Sequence, residues 1–207
     1  MASPKLSPFR VLGEGFLLGA KNFPSLLGAV VLYILTLWIP YINVGTTIAM
    51  CAIPVALSRG KVVSPTFIFE GKYRKFMGEY FTLLGLKAMS LVPAFLFMVV
   101  PGVIISIGWS QALYILIDQQ VAPGEALVRS NKATYGYKGA IFGIFMLLFA
   151  AVLVTLSVFS VMGTVGGLLT VALVLLLPVF VLGVRAIIYR NLTQEAPATQ
   201  APVPPVR

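Results

Sequence analysis

Histidine is absent from the 207-residue sequence, and cysteine occurs once, at Cys51. The first absence removes imidazole acid–base catalysis, Ser-His-Asp triads and most metal sites together. The second excludes an intrachain disulfide and a cysteine-ligated metal centre, so cysteine usage says nothing about redox compartment. Acid is scarce as well: Glu14, Glu70, Glu79, Asp118, Glu125 and Glu195 are the whole set, against 15 Lys plus Arg. No GxxxxGKS-type phosphate loop occurs. These gaps argue against an enzyme, and no cofactor or metal is expected.

Apolar residues fill what is left. They make up 59% of the chain, charged residues only 10%, and the mean hydropathy is +0.98. A soluble domain needs a polar surface that this composition cannot supply, so the expected class is an all-α integral membrane protein. In that setting the formal net charge of +9 reads as cationic loops facing an anionic membrane surface rather than a nucleic-acid footprint. Residues 1–9 do not read as a secretory signal, because no uninterrupted apolar run and small-residue cleavage site follow them directly.

One outline recurs three times. Ser7-Pro8 leads to Gly28, Ser64-Pro65 to Gly85, and Ala122-Pro123 to Gly143, with 20 residues from proline to glycine each time and starts 57 and 58 residues apart. Each copy predicts a helix opened by Pro at its first position, with a serine cap in two copies. In the first, Phe9, Leu12, Phe16, Ala20 and Phe23 form a stripe that Arg10, Glu14 and Lys21 avoid. The second sets Phe69, Tyr73, Phe76, Met77 and Tyr80 against Lys72, Arg74, Lys75 and Glu79. The third sets Leu127, Tyr135 and Tyr137 among Arg129, Lys132 and Lys138. Aromatic rings interleaved with cations suit the lipid headgroup layer. The alternative is a solvated helix packed on the protein's own core.

Two apolar runs separated by a Pro or Gly break follow each amphipathic segment. The expected pairs are 23–41 with 44–57, 81–100 with 103–117, and 139–162 with 165–189, broken at Pro40–Gly45, Pro101-Gly102 and Gly163–Gly167. The reading is therefore three repeats of an interfacial amphipathic helix plus a transmembrane helical hairpin, about six apolar helices in all. Repeat 1 covers residues 1–62, repeat 2 covers 63–120 and repeat 3 covers 121–192; residues 193–207 form a Pro/Ala-rich tail expected to be disordered. The three breaks carry no charge. By the positive-inside tendency both termini face the cytoplasm. Run length complicates this picture: about 15 residues cover about 22 Å, short of a hydrocarbon core of about 30 Å. Hairpins one and two therefore thin the bilayer, lie partly under protein cover, or dip in and return without crossing, whereas the third has length enough to cross.

The candidate contacts for anionic headgroups, or for an acidic partner, are Arg59, Lys61, Lys72, Arg74, Lys75, Arg129, Lys132 and Lys138. Lys87 and Asp118 fall at one end of the second hairpin and are expected to form a structural ion pair. Ser106, Ser110, Gln111, Ser157 and Ser160 are polar groups within the apolar helices; they either hydrogen-bond neighbouring helices or line a path. The Gly15-x-x-x-Gly19 and Gly139-x-x-x-Gly143 spacings allow close helix contact.

At Pro123-Gly124-Glu125-Ala126-Leu127-Val128-Arg129-Ser130, after Leu116-Ile117-Asp118 and before an apolar run, the chain resembles poorly characterised bacterial polytopic membrane proteins. These are the YciC type and the family named for a glycerophosphoryl diester phosphodiesterase membrane domain, and the likeness covers about Trp109 to Phe145. It implies a multi-helix protein of the bacterial inner membrane without a settled activity. The phosphodiesterase in that name belongs to a separate soluble domain that uses histidines, which this chain lacks. The leading expectation is a non-enzymatic polytopic protein that organises or shapes lipid, or serves as a membrane subunit of a larger assembly or homo-oligomer. The alternative is a channel or transporter with a path between the repeats or along an oligomer axis.

Overall fold

The computed structural model describes residues 6–193, so the expected tail from residue 194 onward lies outside the described residues. Within them the chain is helical: α1 (Pro8–Lys21), α2 (Phe23–Thr36), α3 (Pro40–Ser58), two 3₁₀ turns (Pro65–Phe69 and Gly71–Phe76), α4 (Met77–Phe97), α5 (Val99–Gly108), α6 (Ala112–Gln119), α7 (Pro123–Ala133), α8 (Lys138–Ser160) and α9 (Gly163–Thr193). Five helical stretches are long and apolar enough to cross a membrane, and six if α1 and α2, bent by 82° at Asn22, count as one.

Proline and glycine punctuate the chain, but not always where the sequence suggests. Pro40 starts α3 instead of ending α2, and the first break lies at Leu37–Ile39. Proline at a first helical position loses no hydrogen bond, since that N–H has no intrahelical partner. Gly45 is inside α3, where a Cβ would come 2.9 Å from Arg74 Cγ. The second break is at Met98, whose backbone is extended, and Pro101 sits harmlessly in the first turn of α5. The run 103–117 is not one helix: α5 stops at Gly108 and α6 starts at Ala112. In the third hairpin the chain turns at Val161-Met162, and α9 begins at Gly163, whose φ of +59° favours glycine.

The second amphipathic segment is not an α-helix. Glu70 adopts an extended conformation between two 3₁₀ turns, and Gly71 beside it is a poor helix former. The turn gains local packing instead: the Phe67 and Tyr73 rings are 5.2 Å apart, and Lys72 Nζ lies 5.4 and 4.9 Å from their centroids. Of the two expected serine caps, Ser64 accepts from the Thr66 N–H, while the Ser7 side chain caps nothing.

Packing centres on α3, α6 and the C-terminal half of α9. Ile48, Ala52 and Ile53 of α3, Ala112, Ile115 and Leu116 of α6, and Val179, Leu182, Ala186 and Tyr189 of α9 belong to one buried cluster. Around it, α1 packs along α8 and α9, the 3₁₀ turns along α2 and α3, and α7 along α4 and α6. The α1–α9 crossing is close because both faces lack side chains there. A Cβ on Gly183 would fall 2.2 Å from the Gly15 carbonyl oxygen, and one on Gly15 would fall 2.6 Å from Val184 Cα. The expected contact role of Gly15 and Gly19 is met, with Gly183 as the part the spacing did not reveal. By contrast, Gly139 has open space where a Cβ would be. Leu6 and Leu192 share a second buried cluster, so both ends of the described chain lie together.

The hairpin tips project from this body. Trp38 is 89% exposed, Phe97 87% and Val161 84%. Apolar surface of that extent needs a cover that water does not provide.

Candidate functional site

Arg59 ends α3, Asp118 lies near the end of α6, and Tyr189 near the end of α9; the packing of those three helices brings them together. Arg59 forms an ion pair with Asp118. The Tyr189 hydroxyl donates to Asp118 Oδ2 at 2.7 Å. Tyr189 also meets the ring of Tyr114 edge-on, with centroids 5.9 Å apart, and Arg185 Nη1 donates to the Tyr114 hydroxyl at 3.2 Å. Asp118 is thus shared between two chain sections distant in sequence, its side chain only 11% exposed. The expected pair of Lys87 with Asp118 is not what forms. Arg59 has the shorter approach across the α3–α6 contact, and Lys87 Nζ points to the Trp109 carbonyl at 3.4 Å.

A second polar knot ties α7 to the break between α5 and α6. Ser130 donates to the Gly108 carbonyl at 2.7 Å, and its hydroxyl accepts from the Gln111 N–H at 3.2 Å. Thr134 reaches the same carbonyl at 3.3 Å. Lys138 Nζ donates to Asn131 Oδ1 at 2.9 Å, beside Gly108, where a Cβ would stand 2.8 Å from that oxygen and 3.3 Å from Nζ. Breaking a helix exposes carbonyls that need donors, and α7 supplies two. Gln111 Nε2 donates to Ser110 at 3.0 Å, while its buried Oε1 has no partner.

The expected headgroup contacts differ in how far they are already engaged. Lys72 pairs with Glu70, and Arg129 with Glu125 and the Gln119 side chain. Lys61, Arg74, Lys75 and Lys132 are exposed, with no ion pair among the described residues. A cavity of about 140 Å³ lies between α3 and the 3₁₀ turns, lined by Ile42, Gly45, Ile68, Phe69, Glu70 and Arg74 among others. On the opposite flank Glu14 takes Arg10 at 2.6 Å and Arg190 at 2.7 Å, fastening α1 to α9. The hydrogen bond from Arg10 and the charges of both arginines hold its carboxyl below the usual value, against the opposing pull of partial burial.

Tyr33 with Thr47 and Thr36 with Thr46 bond across α2 and α3, whereas three serines of the later apolar helices bond within their own helix and not to neighbouring ones. Ser106, Ser157 and Ser160 each donate to a carbonyl three or four residues earlier. Among the described residues no cluster of His, Cys, Asp or Glu could hold a metal ion. The Arg59–Asp118–Tyr189 junction was missed by sequence reading because its members come from three different sections. The available signal was that each second hairpin arm ends in charge: Arg59, Asp118 and Arg190. Comparison with known proteins yields no matching family, no matching curated protein and no matching solved structure.

Proposed function

We propose that this is a non-enzymatic bacterial inner-membrane protein that shapes lipid by inserting unequal hairpins from its charged, cytoplasmic side. The observation that carries the reading is the level shared by Lys87, the Gly108–Trp109 break and Lys138. Cations with an aromatic companion such as Trp109 favour the headgroup boundary. Below that level α4 continues ten residues to Phe97 and α5 nine residues back to Val99, about 15 Å and 14 Å respectively. That is half of a hydrocarbon core of about 30 Å. From Lys138, α8 runs 22 residues to Ser160, about 33 Å, enough to cross. α9 returns the same distance from Gly163 to Arg185, again a cation. The first hairpin has an α2 of 14 residues, about 21 Å, too short to cross upright. One hairpin then spans while two stop short of the far side, which adds more area on the entry side of the bilayer and favours curvature.

Three related units suit this arrangement. Each Pro-led segment packs between the hairpin arms of the preceding unit: the 3₁₀ turns on α2 and α3, α7 on α4 and α6, and α1 on α8 and α9, which closes the ring. The marker residues support it at two of three junctions. A Cβ on Gly28 would lie 2.9 Å from Pro65 and one on Gly143 would lie 4.0 Å from Pro8, whereas Gly85 has open space around it. Exposed Lys61, Arg74, Lys75 and Lys132 add attraction for anionic headgroups, about 1 kcal/mol each near the surface.

Reconstitution into phosphatidylglycerol-containing liposomes tests the reading. Vesicle radius measured by electron cryomicroscopy should fall as the protein-to-lipid ratio rises, with solute flux at the protein-free level. Unchanged radius together with protein-dependent flux would replace this reading with a channel. The local hydrogen bonding of Ser106, Ser157 and Ser160 supports the first outcome.

A further inference from the structure

Resting on that reading, we propose that Lys87 and Lys138, reinforced by Arg185, hold one phosphate group, in the first instance that of an anionic lipid, at the break between α5 and α6. The two ammonium groups converge on adjacent residues: Lys87 Nζ is 3.4 Å from the Trp109 carbonyl oxygen, and Lys138 Nζ would lie 3.3 Å from a Cβ at Gly108. Gly108 therefore gives Lys138 its room, where Nζ also donates to the uncharged Asn131 Oδ1 at 2.9 Å. Arg185 is within electrostatic range of Lys87, and its Nη1 reaches only the neutral Tyr114 hydroxyl.

Charge balance leads to an anion. Among the described residues four of the five acids are engaged elsewhere, Glu14 with Arg10 and Arg190, Glu70 with Lys72, Asp118 with Arg59, and Glu125 with Arg129, and the fifth, Glu79, sits in the first turn of α4, eight residues before Lys87. The C-terminal end of α5 supplies about half a negative charge. Set against three cations this leaves an excess of about two and a half positive charges, which the single negative charge of a lipid phosphodiester offsets in part. Cations at bilayer depth persist where they meet a partner, and the half-buried Trp109 at the same break is of a type that favours the headgroup boundary. The headgroup cations Lys61 and Lys132 are exposed, and among the described residues neither donates to a carbonyl of this break.

Native mass spectrometry of the full chain in detergent, after equilibration with equal phosphatidylglycerol and phosphatidylcholine, counts the retained lipid. The expected result is one phosphatidylglycerol per chain, preferred about tenfold. That preference should be lost in Lys87→Gln/Lys138→Gln and kept in Lys61→Gln/Lys132→Gln and in the charge-preserving Lys87→Arg/Lys138→Arg. Retention by Lys87→Gln/Lys138→Gln overturns the site. Equal loss in both glutamine pairs also overturns it while leaving diffuse headgroup attraction intact, and no preference in any variant removes both proposals. If Lys87→Gln/Lys138→Gln fails to fold, Trp109 emission in Trp38→Phe decides: it should shift with phosphatidylglycerol and not with phosphatidylcholine. No shift overturns the site. A shift with millimolar inorganic phosphate but not with phosphatidylglycerol assigns the site to free phosphate and overturns the lipid assignment.

Discussion

Gly183→Ala tests the crossing that joins the two ends of the chain. The added methyl would stand 2.2 Å from the Gly15 carbonyl oxygen and 3.0 Å from the Gly19 amide nitrogen. A carbon–oxygen contact tolerates about 3.3 Å, so α1 and α9 must separate by about 1 Å. Neither obstacle is a flexible side-chain end; both are helical backbone. Overpacking of this kind costs about 1–3 kcal/mol, and the upper end applies because the whole of α1 has to move. Alanine regains about 1 kcal/mol in helix propensity over glycine, which leaves a net loss of about 1–2 kcal/mol. Gly13 on the same helix is the control: nothing lies within 4 Å of a Cβ there, so Gly13→Ala collects the propensity gain alone. Thermal unfolding in detergent should therefore rank Gly13→Ala at or above the parent and Gly183→Ala below it, separated by about 2–3 kcal/mol. Equal stability of the two variants would refute the close crossing.

Removing the shared carboxylate in Asp118→Ala leaves the Tyr189 hydroxyl and Arg59 without their acceptor. A loss of about 1–3 kcal/mol in unfolding free energy is expected, and Arg59→Ala should destabilise as well, because it leaves the largely buried Asp118 carboxylate with the Tyr189 hydroxyl but no counter-charge. Ser130→Ala removes the donor to the Gly108 carbonyl and the acceptor of the Gln111 N–H; about 1–2 kcal/mol should be lost, while Arg129→Ala, at a half-exposed neighbour paired with Glu125, should cost less, about 1 kcal/mol at most. Glu14 has a lowered pKa in the folded chain, so its contribution is fully present above the ordinary 4.5 and disappears as pH falls through the depressed value. A pH titration of stability should be flatter below 4.5 in Glu14→Gln, by a fraction of a kcal/mol since the site is partly exposed; identical profiles would mean that the tie to Arg190 contributes nothing.

Helix existence was legible because apolar runs and Pro/Gly punctuation are local properties. Break positions were less so, since Pro40 and Pro101 act as helix starters once the preceding turn is placed, a distinction that depends on which N–H groups are free. Gly45 and Gly102 read as breakers, yet their missing Cβ atoms admit Arg74 and the Phe95 ring, a requirement of packing that no single segment reveals. Asp118 shows the same limit at the candidate site. Its charge and its helix end were visible, but whether Arg59 or Lys87 would reach it depended on how α3 and α4 cross α6.

The unequal depth of the hairpins is the central claim, and impermeant thiol labelling addresses it. Single cysteines at Trp38, Met98 and Met162, with Cys51→Ala, place one probe at each tip, and the reagent is added from the face opposite the charged termini of sealed membranes. Labelling at Met162→Cys alone is predicted, with Trp38→Cys and Met98→Cys reacting only after the membrane is dissolved and the protein denatured in detergent. Reaction of all three in intact membranes would mean six full crossings, and the leaflet-asymmetric account would fall.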